Sequence, residues 1–245
     1  MVHHARRPVT EYLEIDRHLN GPPESANGGI ACAEVALRLG GEAEVTLHLP
    51  PPLGVRLSVV YVDDGLELRG PEGELVASGH RQPLRLDPLP PVDYATACAA
   101  ATRFAGRRKH PFPTCFSCGP GRDPSDALCI YPGPVRPDEK EPVAANWIPR
   151  AHLADPERPS HAHLRYVGGA IDCAGAWAIM PDEGHVLLGR MHFALRQAPR
   201  IGEPCVVMGW SIGQERRKYF SGTAAYGEDG RLLAMSRQTW IRVAD

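Results

Sequence analysis

Three turn motifs occur twice in this chain, in the same order. Gly28-Gly29 is matched by Gly168-Gly169, Pro51-Pro52-Leu53-Gly54 by Pro199-Arg200-Ile201-Gly202, and Gly73-Glu74-Leu75-Val76-Ala77 by Gly230-Arg231-Leu232-Leu233-Ala234. The spacing between partners grows slowly along the chain, as short insertions in the second copy would make it, one of them near residues 214–218. Gly and Pro turns recur by chance, so each match is weak alone; their preserved order is what predicts two copies of one unit. A helix on one curved sheet covers only part of its apolar surface. Two such units side by side hide more of it and can join their sheets, removing an exposed edge.

The local patterns supply the elements of each unit. Residues 28–39 read as a helix, with Ser25 or Asn27 as a cap and Gly40 as the stop. From 42 to 79 the chain reads as an antiparallel meander. Val45, Leu47 and Leu49 alternate with Thr46 and His48, and Asp64-Gly65 marks a type I′ hairpin. Residues 93–106 are Ala-rich after Asp93, predicting a helix that connects the halves. Residues 167–180 are apolar nearly all round, predicting a buried helix. Strands are expected at 185–195, 205–212, 219–226 and 232–243.

The chain is 245 residues long and 43% hydrophobic, enough for two small units with real cores. A net charge of -2 gives no general reason to expect a nucleic acid or an anionic membrane as partner. No apolar run approaches a spanning helix, and residues 1–7 carry charge with no apolar stretch after them. Seven scattered cysteines do not suggest a disulfide framework. A cytoplasmic protein is expected.

Cys115-Phe116-Ser117-Cys118-Gly119-Pro120, followed by Leu128-Cys129-Ile130, resembles the C-F-x-C-G…N-P-x-G-L opening of many hotdog-fold thioesterases. The N-P-x-G-L part is degraded here to Asp123-Pro124-Ser125-Asp126-Ala127-Leu128. Residues 198–204 resemble that family's P-x-x-G turn, and 228–234 its closing d-G-x-l-x-A strand. The resemblance is good over 111–243 and looser over 10–80. It implies an α+β double hotdog, two antiparallel sheets each wrapped around a central helix. The halves would be 1–91 and 114–245, with 92–113 as a connecting helix and basic Pro-rich linker.

The resemblance also implies a function: an acyl-thioester hydrolase acting on acyl-CoA or carrier-bound acyl chains where the halves meet, without a cofactor. The alternatives are a non-catalytic acyl-thioester-binding module and a hotdog hydratase or dehydratase. The partner would be acyl-CoA or an acyl carrier protein, with no nucleic acid and no membrane, and the assembly a monomer or a homodimer of double hotdogs. In the family the helix start carries H-G-G or N-G-G, whose N–H groups polarise a thioester carbonyl, and an acid from the neighbouring unit's helix acts on water or the carbonyl. The first half keeps Asn27-Gly28-Gly29; the second has Val167-Gly168-Gly169. The usual acid positions fall on Ala36 and Ala176. The carboxylates on offer are Asp172, the sole charge within 167–180, and Glu34, which has Arg38 four residues on.

The expected composite cleft therefore joins Asn27, Gly28 and Gly29 to Asp172, with Glu34 and Gly168-Gly169 on the weaker side. Arg216-Arg217-Lys218 is a candidate grip for phosphates and otherwise a solvated turn. Cys115 and Cys118 look like half a zinc ribbon. No second C-x-x-C follows, and Cys129, His110, His152, His161 and His163 do not supply one, so no metal is expected.

Overall fold

The computed structural model describes residues 11–243; the reading of residues 1–7 lies outside them. The chain opens with β1 (Glu11–Glu14) and then α1 (Gly28–Arg38). Asn27 caps α1, its side-chain oxygen accepting from the Ile30 N–H at 3.0 Å. The helix stops before Gly40, where φ is +95°. The meander follows as β2 (Glu42–Leu47), β3 (Arg56–Val62), β4 (Gly65–Arg69) and β5 (Leu75–Arg81). Asp63 and Asp64 make the two-residue turn between β3 and β4. Neither has positive φ, so the turn is not the type I′ expected, and Gly65 belongs to the strand.

Asp93 caps α2 (Tyr94–Thr102) by accepting from the Thr96 N–H. Short strands β6 (Gly133–Pro134), β7 (Val143–Trp147), β8 (Ala154–Asp155) and β9 (Arg158–Ala162) lead to α3 (Leu164–Ala178). Four long strands complete the chain: β10 (His185–Leu195), β11 (Cys205–Glu215), β12 (Lys218–Tyr226) and β13 (Leu232–Val243).

The repeated turns occupy equivalent places. Gly54 and Gly202 both have positive φ, ahead of β3 and β11; Gly73 and Gly230 do so ahead of β5 and β13. The strand orders correspond as well, β3-β4-β5-β2 in one half and β11-β12-β13-β10 in the other. One expectation is corrected. The two half-sheets are not separate: β2 pairs antiparallel with β10, giving one 11-stranded sheet. Val45 lies opposite Met191 and Ala43 opposite Phe193, all four fully buried, so the seam is closed by apolar packing on one face. On the other face Arg190 meets Glu44 at 3.0 Å and Arg196 meets Glu42 at 3.6 Å.

The second correction concerns α3. It starts at Leu164, capped by the His163 ring, so Gly168 lies a turn inside the helix instead of opening it. The reason is the contact between the helices. A Cβ on Gly29 would lie 2.5 Å from the Gly168 carbonyl oxygen, and one on Gly168 would lie 2.5 Å from the Ala33 Cβ. The helices cross where only glycine lets backbones approach this closely.

Away from the helices, α2 and the segment before it cover the other face of the second half-sheet. Ala97 and Ala100 of α2 pack with Leu84, Ala144, Met208 and Trp210. Beneath α3 runs a buried polar ladder that sequence patterning did not reveal. Gln238 donates to the Ile171 carbonyl and the Ser236 hydroxyl and accepts from Ser221 and the Trp240 indole, each at 3.0 Å. Gly175 leaves room for it, since a Cβ there would fall 1.6 Å from the Gln238 Oε1. Among the described residues no helix is long and apolar enough to cross a membrane.

Candidate active site

A cavity of about 420 Å³ opens at the start of α1, between the two halves. Its walls come from residues 21–28 and 47–51 of the first half, from 110–118, and from α3, β10 and β13. Trp177, Met180, Val186, Leu188 and Trp240 make most of the surface apolar. Asn27, Gly28, Asp172 and Cys173 also line it, and there Asn27 of the first half meets Asp172 of the second.

Asp172 is the ninth residue of α3, too far in to serve that helix's own first turn. The glycine crossing carries it to the N-terminus of α1 instead. Its Oδ2 accepts from the Asn27 Nδ2 at 2.9 Å, and the Gly29 N–H also reaches the carboxyl group. Asn27 and Asp172 are 1% and 4% exposed, so the pair is shut away from bulk water except through the cavity. Among the described residues the Asp172 Oδ1 has no hydrogen-bond partner.

Burial pushes the Asp172 pKa up to about 7, and charge on Cys115 adds to the effect, while the Gly29 N–H and the Asn27 amide oppose it. A buried carboxyl with one oxygen unsatisfied is costly in a purely structural role. Here it sits on a cavity, beside a helix start whose first N–H groups lack intrahelical acceptors and whose dipole favours negative charge.

The sequence-derived residues divide. Asn27, Gly28, Gly29 and Asp172 come together, and Gly168 and Gly169 form the crossing that brings them there. Gly169 faces Ile30, which a Cβ would meet at 2.9 Å. Asn27 has its oxygen on the Ile30 N–H and a side-chain N–H on Asp172, so it holds Asp172 in place. Glu34 is elsewhere. Its oxygens accept from Arg38 at 2.8 Å and from Arg165 of α3 at 3.2 Å, and it does not line the cavity. It ties the two helices together.

Arg216, Arg217 and Lys218 are exposed at the β11–β12 hairpin, off the cavity wall. The hairpin nevertheless adjoins residues of the cavity wall: Lys218 pairs with Ile241 and the Arg217 carbonyl accepts from the Arg242 N–H, while Ile241 and Val243 are wall residues.

The cysteines hold a feature that counting along the sequence missed. Cys173 of α3, next to Asp172, meets the Cys115-x-x-Cys118 turn, and the three sulfurs lie within 4.8 Å of one another, all buried. The Cys115 thiol is held well below its ordinary value by the thiols of Cys118 and Cys173 and by the backbone N–H groups of 117 and 118. Burial pushes Cys118 up, and the hydrogen bond to Cys115 pushes Cys173 up. Of the other candidate ligands, His110 lies beside the cluster, its Nε2 3.3 Å from the Cys118 sulfur, whereas His163 caps α3 and His161 stands at an isolated bridge to Arg200.

No protein-family model matches the chain, and no curated protein is detectably similar to it in sequence. Solved structures do match. A protein provisionally named thioesterase II from Thermobifida fusca superposes with a TM-score of 0.61 at 16% identity, over 95% of this chain and 91% of that one. The tesB protein of Mycobacterium avium subsp. paratuberculosis gives 0.61 at 12% identity, over 97% and 95%. A conserved protein of unknown function with the hot dog fold, from Alicyclobacillus acidocaldarius, gives 0.60 at 13% identity, over 98% and 96%. Coverage is near complete on both sides, so the likeness embraces both halves: this chain has the double-hotdog fold.

Proposed function

We propose that this chain hydrolyses acyl thioesters, with Asp172 as general base. The observation that carries the reading is the pairing of a buried carboxyl from α3 with the capped N-terminus of α1 on the wall of a largely apolar cavity. That arrangement suits a substrate with an apolar chain and a carbonyl at its end.

The acyl chain would lie along Trp177, Met180, Val186 and Leu188, where burial of each methylene contributes about 0.8 kcal/mol. The carbonyl oxygen would meet the Gly28 N–H, at the first residue of α1, where the helix offers donors and positive potential. Ionised Asp172 accepts a proton from water as the water oxygen adds to the carbonyl carbon. The carbon–sulfur bond then breaks, and the proton passes from Asp172 to the departing sulfur. A carboxylic acid and a thiol result. Asn27 positions Asp172 and does not touch the carbonyl.

Acyl-CoA is the proposed carrier form, its phosphates near the Arg216-Arg217-Lys218 hairpin at the end of β13. One competent cleft per chain is proposed, because the second half has Val167 where the first has Asn27, and Glu34 is committed to two arginines.

The test is a hydrolysis screen over acyl-CoA chain lengths, reading free thiol, with calorimetric binding for each compound. Turnover by the wild type and its loss in Asp172→Asn with binding retained support the reading. Tight binding of acyl-CoA without turnover at any chain length makes this a carrier module and refutes the hydrolytic role.

A further inference from the structure

The part of the cavity wall beside Asp172 contains more than a hydrolase needs. Cys115 and Cys118 sit on a turn closed by the Gly119 N–H donating to the Cys115 carbonyl at 2.9 Å. Gly119 is required there: a Cβ would lie 2.5 Å from both the Cys115 nitrogen and the Pro113 carbonyl oxygen. Such a turn points both sulfurs to one side and leaves backbone N–H groups aimed at the first of them. The third sulfur comes from Cys173, 3.9 Å from that of Cys115.

Each of the three residues is at most 6% exposed. Further donors converge on the sulfurs. The His110 Nε2 lies 3.3 Å from the Cys118 sulfur, the Trp177 indole also reaches it, and the Asn27 amide is 4.0 Å from Cys115. The Phe112 N–H donates to the His110 Nδ1 at 2.9 Å, so the neutral ring carries its proton on Nε2, directed at the sulfur.

We propose that Cys115, Cys118 and Cys173 bind a zinc ion, with the fourth coordination position facing the cavity. Zinc–sulfur bonds of about 2.3 Å at tetrahedral angles put sulfurs about 3.8 Å apart, the separation found between Cys115 and Cys173. Thiolates select a soft, tetrahedral ion, and donors converging on the sulfurs are the outer shell that such ligands need. A disulfide fits the geometry less well. It would close one pair from 3.9 Å to about 2.05 Å and leave a third buried thiol behind. His110 in its present tautomer is a donor to the cluster, and its ring nitrogen is not free to take the fourth position. The ion fastens the 110–118 segment to α3 beside Asp172, whatever reaction the cavity supports.

The test uses the full chain, prepared under reducing conditions with any affinity tag removed. Elemental analysis should find one zinc per chain, and replacement by Co²⁺ should give intense thiolate-to-cobalt charge-transfer absorption. Cys173→Ser and Cys118→Ser should weaken zinc by more than the ~10–100-fold that loss of an outer-shell partner costs, while Cys129→Ser keeps it. His110→Ala should retain one zinc at an affinity within that ~10–100-fold. Complete loss of metal in His110→Ala would overturn the open fourth position. Wild-type protein that takes up no zinc after loading and dialysis, or Cys173→Ser that binds as tightly as wild type, would overturn the site itself. Should the serine variants not fold, the cobalt spectrum of the wild type decides: absence of the charge-transfer bands refutes a thiolate site.

Discussion

Replacing Gly29 by alanine sets a methyl group 2.4 Å from the Asp172 Cβ and 2.5 Å from the Gly168 carbonyl oxygen. Relaxed contacts between such atoms are about 3.5–4.0 Å, so the shortfall is about 1.0–1.6 Å. Neither obstacle can rotate aside, since one is backbone and the other is the first carbon of a short side chain. The helices must part. Overpacking of this kind costs about 1–3 kcal/mol, of which the better helix propensity of alanine returns about 0.5–1 kcal/mol. The net cost is thus up to about 2.5 kcal/mol, and since 1 kcal/mol moves Tm by about 2–4 °C in a chain of this size, Gly29→Ala should melt up to about 10 °C lower. The same displacement carries Asp172 away from Asn27, and a misplacement near 1 Å can cost about 10²-fold in rate.

Gly28 is the control. Its added methyl meets only the Leu188 side chain, nearest atom 2.9 Å, which can turn away, so Gly28→Ala should melt within ~3 °C of wild type. Differential scanning calorimetry on both variants, with acyl-CoA turnover alongside, reads both effects. If Gly29→Ala melts with Gly28→Ala and turns over like wild type, the close crossing does not position Asp172 and the reasoning fails.

Asp172→Asn should lower turnover by ~10²-fold or more with little change in acyl-CoA binding, while Glu34→Gln should leave turnover within about twofold and lower Tm, because it loosens two arginines. Gln238→Leu should destabilise by about 1–3 kcal/mol in urea melts, since the Ile171 carbonyl loses its buried donor; an unchanged midpoint would refute the ladder. Burial works to raise the Glu203 carboxyl, but Arg231 and the N–H groups of 200 and 228 outweigh it and hold the group below its ordinary 4.5. Its stabilisation is therefore complete above that pH and fades as pH falls through the folded value; Glu203→Gln should melt lower than wild type at pH 7 and converge with it in acid. Replacing Arg216, Arg217 and Lys218 together by alanine should raise KM for acyl-CoA but not for the matching acyl-pantetheine; equal effects would remove the hairpin from phosphate binding.

The sequence reveals elements whose signals are local. Asn27 and Gly40 bracket α1 because capping and positive φ depend on a few adjacent residues, and the four long strands of the second half carry alternation or turn residues at their ends. β1 and β6–β9 are too short and irregular for either signal. Gly168 misleads for a physical reason: glycine at a helix start and glycine at a helix crossing look alike in one dimension. Asp172 stands out as a lone charge in an apolar run, yet its partner Asn27 lies in the other half, and the repeat alone suggests the meeting. The pairing of Glu34 with Arg38 is legible at i,i+4, whereas Arg165 is not. Cys173 reads as an ordinary buried residue until α3 folds against the 110–118 segment.

The seam between β2 and β10 has a consequence for synthesis. While the ribosome is still making the second half, β2 has no partner along one edge and could pair with β2 of another nascent chain. That edge carries Glu42 and Glu44, and two copies brought together antiparallel would set carboxylates against carboxylates. Only β10 arrives with Arg190 and Arg196 placed to meet them. The two acidic residues thus act as a time-limited guard, repelling strangers until the chain's own later strand supplies the matching charge and closes the sheet.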